Sequence, residues 1–158
     1  MTPPPPKYAA ATTVSVEKSR AEIEALLRKH GASAFFSATD DQKGSAMIGF
    51  RLGDRMYRLE VRHPKIEQAP KARTWRETPQ QRDARLRKWL EQEERRRWRA
   101  QLLLIKAKLE MIASGETTVE REFLADMLTP NGQTVGQRVF AQLAAYPSGV
   151  DMPLLGSE

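Results

Sequence analysis

Between Ser45 and Arg62 the chain alternates apolar and polar residues on both sides of Gly53-Asp54, and no other stretch constrains the fold as tightly. A glycine followed by a polar residue suits the two-residue type II′ turn of a β-hairpin. If Leu52 opposes Arg55, then Phe50 opposes Tyr57, Ile48 opposes Leu59 and Ala46 opposes Val61, so one side of the ribbon is wholly apolar. The other side pairs Arg51 with Met56, Gly49 with Arg58, Met47 with Glu60 and Ser45 with Arg62. A slip of one residue would mix the two sets, so the pattern itself specifies the register.

Helical periodicity surrounds the hairpin. Ser19-Arg20-Ala21-Glu22 has capping-box spacing, and Ile23, Leu26, Leu27 and His30 follow as one apolar stripe up to Gly31. Residues 34–38 read as a strand beside the hairpin, with its neighbour undetermined. Residues 64–78 form a basic, proline-punctuated connector. Thr78-Pro79 then opens a long helix, threonine as cap and proline at the tolerated first position, running to about Ser114 before Gly115. Unbroken, that helix measures about 54 Å, and it must project past the core, break near residue 91 or pack on another chain. Thr117-Thr118-Val119-Glu120 predicts a further helix with Val119, Phe123, Leu124, Met127 and Leu128 on one face. After the turn Thr129-Pro130-Asn131-Gly132, a last helix over 134–145 should point Val135, Val139, Phe140 and Leu143 inward. The fold class is α+β: an N-terminal helix, a small antiparallel sheet of about three strands with the 45–62 hairpin, a long helix and two shorter helices. The domain covers 13–150, between a proline-rich disordered tail over 1–12 and a C-terminal tail over 151–158, where Leu154 and Leu155 can dock back.

Composition narrows the chemistry. With no cysteine there is no disulfide, thiolate metal site or thiol nucleophile, and a reducing cytoplasm is the natural setting. The two histidines, His30 and His63, lack partners at metal-ligand or triad spacing, so neither a metal nor a cofactor is expected. Asp40-Asp41 reads as a turn. No glycine loop of nucleotide-binding type is present. No apolar run reaches membrane-spanning length, and the start MTPPPPKYAAATT carries one lysine and no apolar core of a secretory signal. These features argue against an enzyme and against a membrane protein.

The formal charge of +6 directs attention to acidic partners, above all nucleic acid. Three basic surfaces are candidates. On the long helix Arg85, Lys88, Arg95, Arg99 and Lys106, with Gln92 among them, fall in a sector about 80° wide that holds no acid between residues 85 and 106. That sector is read as lying opposite the Trp98, Leu102, Ile105, Leu109, Ile112 stripe, as a row about 30 Å long able to track phosphates. Its plainer reading is a solvated face paired with Glu91, Glu93 and Glu94. The outer face of the hairpin carries Arg51, Arg58 and Arg62 with Glu60 as its one acid, but the hairpin puts no aromatic there, so the stacking half of a single-strand platform is missing. The connector supplies Lys65, Lys71, Arg73 and Arg76 around Trp75, an aromatic-plus-basic loop whose duller reading is a tryptophan folded onto the domain.

Several stretches resemble a group of small phage and prophage proteins without an established activity: VEKSRAEIEALLRKHGA (16–32), IGFRLGDRMYRLEV (48–61), WRAQLLLIKAKLEMIASGETTVEREFLA (98–125), PNGQTVG (130–136) and MPLL (152–155). The resemblance implies a phage or prophage origin and the cytoplasm of a bacterial host, with no catalytic residue to carry over. Together the readings lead to a non-enzymatic nucleic-acid-binding protein that meets phosphates through the basic helix face and the connector. The alternative is a protein-interaction module, either an inhibitor of a host protein or a homo-oligomer built through the long helix at Leu86 and Leu90.

Overall fold

The protein is described from a computed structural model that covers residues 7–72 and 76–145. Helix α1 (Val16–Lys29) leads into a meander of strands β1 (Ala32–Asp40), β2 (Ser45–Leu52) and β3 (Arg55–Arg62). After a 3-10 turn at Ile66–Gln68 come the long helix α2 (Pro79–Ala113), the four-residue α3 (Val119–Glu122), a second 3-10 turn at Leu124–Asp126, and α4 (Val135–Leu143). This is the expected α+β architecture.

The hairpin adopts the register its alternation specifies, from Leu52 opposite Arg55 to Ser45 opposite Arg62. Gly53 takes φ 62 while Asp54 stays out of the left-handed region, the combination of a type II′ turn. Strand β1 pairs antiparallel with β2, and a one-residue irregularity between Ala32 and Ala34 leaves Ser33 without an opposite. From Ala34 opposite Arg51 to Asp40 opposite Ser45 the pairing is unbroken, and it puts Phe35 level with Phe50 and Phe36 level with Gly49.

Helix α1 begins one turn before the expected Ser19. Ser15 is the cap and accepts from the Lys18 N–H at 3.2 Å, while Ser19 is buried and donates its hydroxyl to the Ser15 carbonyl at 3.0 Å. The earlier start lets Val16 pack on the core and leaves Glu22, the would-be box partner, free to reach α2. Ile23 and Leu27 of α1 and Trp98, Ile105 and Leu109 of α2 are buried, and they cluster with the inner sheet residues Ile48, Phe50, Tyr57 and Leu59 and with Phe123. The Arg20 guanidinium lies 4.5 Å from the centre of the Trp98 ring.

Helix α2 is continuous, 35 residues from the Thr78 cap to Ser114, so it does not break near residue 91. Thr78 and Gln81 cap reciprocally: the Gln81 N–H donates to Thr78 Oγ1 at 3.3 Å, and the Thr78 N–H to Gln81 Oε1 at 3.0 Å. Midway, Glu93 is almost enclosed. It accepts a two-pronged contact from Arg96 at 2.6 and 2.8 Å and a longer one from Arg97 at 3.4 Å. Arg97 in turn donates to the carbonyls of Arg62 and His63 at 2.8 and 2.9 Å and to Gln68 at 2.7 Å, which fastens the end of β3 and the connector to α2. Of the proline-rich start, residues 1–6 lie outside the described residues. Residues 7–12 form turns held on α2, where the Gln92 amide donates to the carbonyls of Ala10 and Thr12 at 3.0 and 2.9 Å.

The C-terminal third departs from the helical expectation twice. The helix after Thr118 lasts four residues, because Met127 and Leu128 turn away to extend the β3 edge: Met127 bridges Tyr57, and the Leu128 N–H donates to the Met56 carbonyl at 2.8 Å. Of the face expected to pack, Phe123 is buried and Val119 and Met127 pack half-buried on the core, but Leu124 is 52% exposed. Helix α4 is seated through its first turn and not along the whole of the expected stripe. Its buried residue is Gly136, where a Cβ would lie 2.8 Å from the Ala125 carbonyl oxygen. Val139, Phe140 and Leu143, further along the same side of the helix, are exposed. Leu154 and Leu155 lie outside the described residues.

Candidate nucleic-acid interface

The cationic row on α2 is largely taken up by the protein itself. At 100° per residue the sector centred on Arg99 lies about 100° round from the middle of the buried stripe, not opposite it, so it forms a flank of the packed face. Arg99 Nη1 donates to Glu22 on α1 at 2.6 Å, and Gln92 is engaged by the N-terminal turn. Arg85 makes a two-pronged contact with Glu77 at 2.7 and 3.1 Å and donates to the Pro70 carbonyl at 2.9 Å, which holds the Glu77 carboxyl below its ordinary range. Arg95 has Glu91 at 4.0 Å. Lys88 and Lys106 alone of the five are exposed with no hydrogen bond or ion pair among the described residues, and along the helix they stand about 27 Å apart. Two lysines at that spacing do not make a phosphate track.

In the connector Lys65, Lys71 and Arg76 are exposed, while Arg73 and Trp75 lie outside the described residues. Both histidines have structural surroundings: His30 is the C-cap of α1, and His63 Nδ1 stands 3.3 Å from Glu94. Among the described residues no three His, Asp or Glu side chains are placed to share a metal ion. The Asp40 carboxylate accepts from the Lys43 N–H at 3.0 Å, as a turn residue does.

The outer face of the sheet gathers what the hairpin alone lacks. Its cross-strand rows are Ala34, Arg51 and Met56; Phe36, Gly49 and Arg58; Ala38, Met47 and Glu60; Asp40, Ser45 and Arg62. Phe36 comes from β1 and is 42% exposed. Its ring rests on Gly49, where a Cβ would fall 1.9 Å from a ring carbon. Sequence reasoning missed this aromatic because the neighbour of its strand, and with it the side each residue takes, was undetermined. Arg51 is exposed and has no hydrogen bond or ion pair among the described residues. Arg58 donates to the neutral Gln137 of α4 at 3.0 Å. Arg62 and Lys43 have acids only at 3.8 and 3.7 Å, Glu60 and Asp40.

Helix α4 covers the β3 side of this face and leaves a cavity of about 290 Å³ floored by Met47 and Arg58 and rimmed by Lys43, Arg62, Gln137 and Phe140. Phe140 is 64% exposed. Asp126 also lines the cavity; burial pushes its carboxyl up, against the pull of Lys108 Nζ at 3.7 Å. The ensemble offers cations and exposed rings, the equipment for binding a polyanion.

Comparison with protein-family models, with curated proteins and with solved structures finds no match. Among the described residues no helix is long and apolar enough to cross a membrane.

Proposed function

We propose that the protein is a non-enzymatic nucleic-acid-binding module that meets phosphates through the outer face of its sheet. The observation that carries the reading is the state of the arginines there. Arg51 has no intramolecular partner among the described residues, and Arg58 is held only by a neutral amide, so both guanidiniums keep their charge available. Arg62 and Lys43 add cations whose exposed, loosely made ion pairs contribute little and exchange readily for phosphate. On α2, by contrast, Arg85 and Arg99 would have to give up short contacts before meeting a ligand. Lys71, Arg76, Lys88 and Lys106 are exposed elsewhere and contribute to the long-range attraction of a chain with net charge +6. A phage or prophage origin and a place in the bacterial cytoplasm, both implied by the resemblance, accord with this role.

Anisotropy titration of labelled oligonucleotides at several salt concentrations tests it. Three arginine–phosphate contacts on a single strand give a log–log salt slope of about −2. Replacing Arg51 and Arg58 by alanine together makes that slope shallower by about 1.4. Absence of binding at micromolar protein in low salt, or an unchanged slope in the double variant, overturns the reading.

A second reading, a homo-oligomer formed through α2, has its own observation. Leu103, Leu104 and Met111 are 44%, 46% and 48% exposed on the side of the helix turned away from the core. The half-buried Leu86 and Leu90 on which an oligomer seam was expected are less available. If a second copy covers that row, light scattering gives a dimer mass that Leu104→Lys returns to the monomer. A monomer at every concentration excludes it.

A further inference from the structure

We infer that the outer sheet face binds unpaired, single-stranded nucleic acid by seating one base on the Phe36 ring while Arg51 and Arg58 hold the adjoining phosphates. The inference rests on the nucleic-acid reading above and adds to it the form of the ligand.

Three observations converge. The first is exposure: Phe36 keeps 42% of its surface open although it lies on a sheet face, where burial of a phenyl ring is favourable. The second is the room around the ring. Its neighbours along β1 on the same face are Ala34 and Ala38, and beneath it is Gly49, so no bulky side chain shields it from above or from either end. The third is charge. Arg58 stands opposite Gly49 at a strand spacing of about 5 Å, and Arg51 is two residues along β2, about 7 Å away. Of the two acids of this face, Glu60 stands one row from the ring, on the far strand, with Arg62 at 3.8 Å, and Asp40 stands two rows away.

An aromatic on a sheet cannot receive a base that is already stacked within a duplex, whereas an unpaired base presents a free π-face. Cations on two sides of the ring follow the sugar–phosphate backbone that such a base brings with it. Resting a ring on a glycine across strands also protects the glycine backbone, so the purely structural role of Phe36 has to be separated by experiment.

The probes are an oligothymidylate, a strand of the same length and charge lacking bases, and a duplex, each titrated against the full-length protein at low salt. The expected order is oligothymidylate tightest, with Phe36→Ala weakening it about tenfold, in the range set by loss of one stacked base. The same variant binds the abasic strand within twofold of the native protein, and Phe36→Tyr restores the oligothymidylate affinity. Equal weakening on both strands, no weakening on either, or a native preference for duplex overturns the single-strand inference while leaving phosphate binding in place. If the native protein binds none of the three, the nucleic-acid reading fails and this inference with it. Urea unfolding of Phe36→Ala, expected to stay cooperative, confirms that the loss is not one of folding.

Discussion

Phe50→Ala is expected to lower the unfolding free energy by about 3–5 kcal/mol, the usual cost of truncating a fully enclosed phenylalanine. Phe50 has no exposed surface, and its ring stacks on Tyr57 with centroids 5.3 Å apart and planes 24° from parallel. Phe123 approaches edge-on at 5.4 Å, and it also contacts Tyr57 at 5.7 Å. The three rings join β2, β3 and the segment after α2, so one truncation loosens elements from both halves of the chain. Since domains of this kind have stabilities of about 5–15 kcal/mol, the loss removes a large fraction of the total. Urea unfolding measures it directly; a loss below about 1 kcal/mol would mean that the ring cluster is not the centre of the core.

Glu93→Gln is expected to cost about 2 kcal/mol at neutral pH, with a cost that shrinks on acidification. The Arg96 guanidinium, doubly bonded to the carboxylate, holds the Glu93 carboxyl below its ordinary value, with help from Lys7 and Arg97 and against the opposing effect of burial. A carboxyl lowered by folding contributes stability that is fully present above its unfolded-state value and is lost as pH falls through the folded one. The side chain is 9% exposed, so solvent screens the pair little. Glu77, lowered by Arg85, titrates in the same sense, and Asp126, raised by burial, in the opposite sense. The difference between native protein and variant therefore isolates Glu93. Unfolding curves for both at neutral pH and well below the carboxylate range check the sign; a gap of constant size would show that the charge is not what matters at this position.

Much of the fold was legible because its determinants are local. The hairpin declares its register through a period of two, and α2 declares its start through Thr78, Pro79 and Gln81. What escaped depends on residues far apart in sequence. The pairing of β1 with β2, unbroken from Asp40 opposite Ser45 to Ala34 opposite Arg51, leaves no mark in composition, yet it decides that Phe36, not Phe35, lies over Gly49. The free cations of α2 could not be told from the engaged ones, because Arg99 finds its acid on α1 and Arg85 finds its acid before the helix begins. Rotation per residue located the basic sector, but the flank of a packed helix was mistaken for its back. The same limit applied to α4: apolar periodicity marks a stripe without saying which of its turns reaches the rest of the domain.

The seating of α4 on Gly136 carries a consequence for how the chain tolerates change. Any side chain there meets a main-chain oxygen that cannot swing aside, so the position admits essentially one residue type. Val139, Phe140 and Leu143 touch solvent, and folding alone imposes no such restriction on them. Intolerance at 136 therefore speaks only of architecture, whereas intolerance at 140 would speak of whatever the open ring meets.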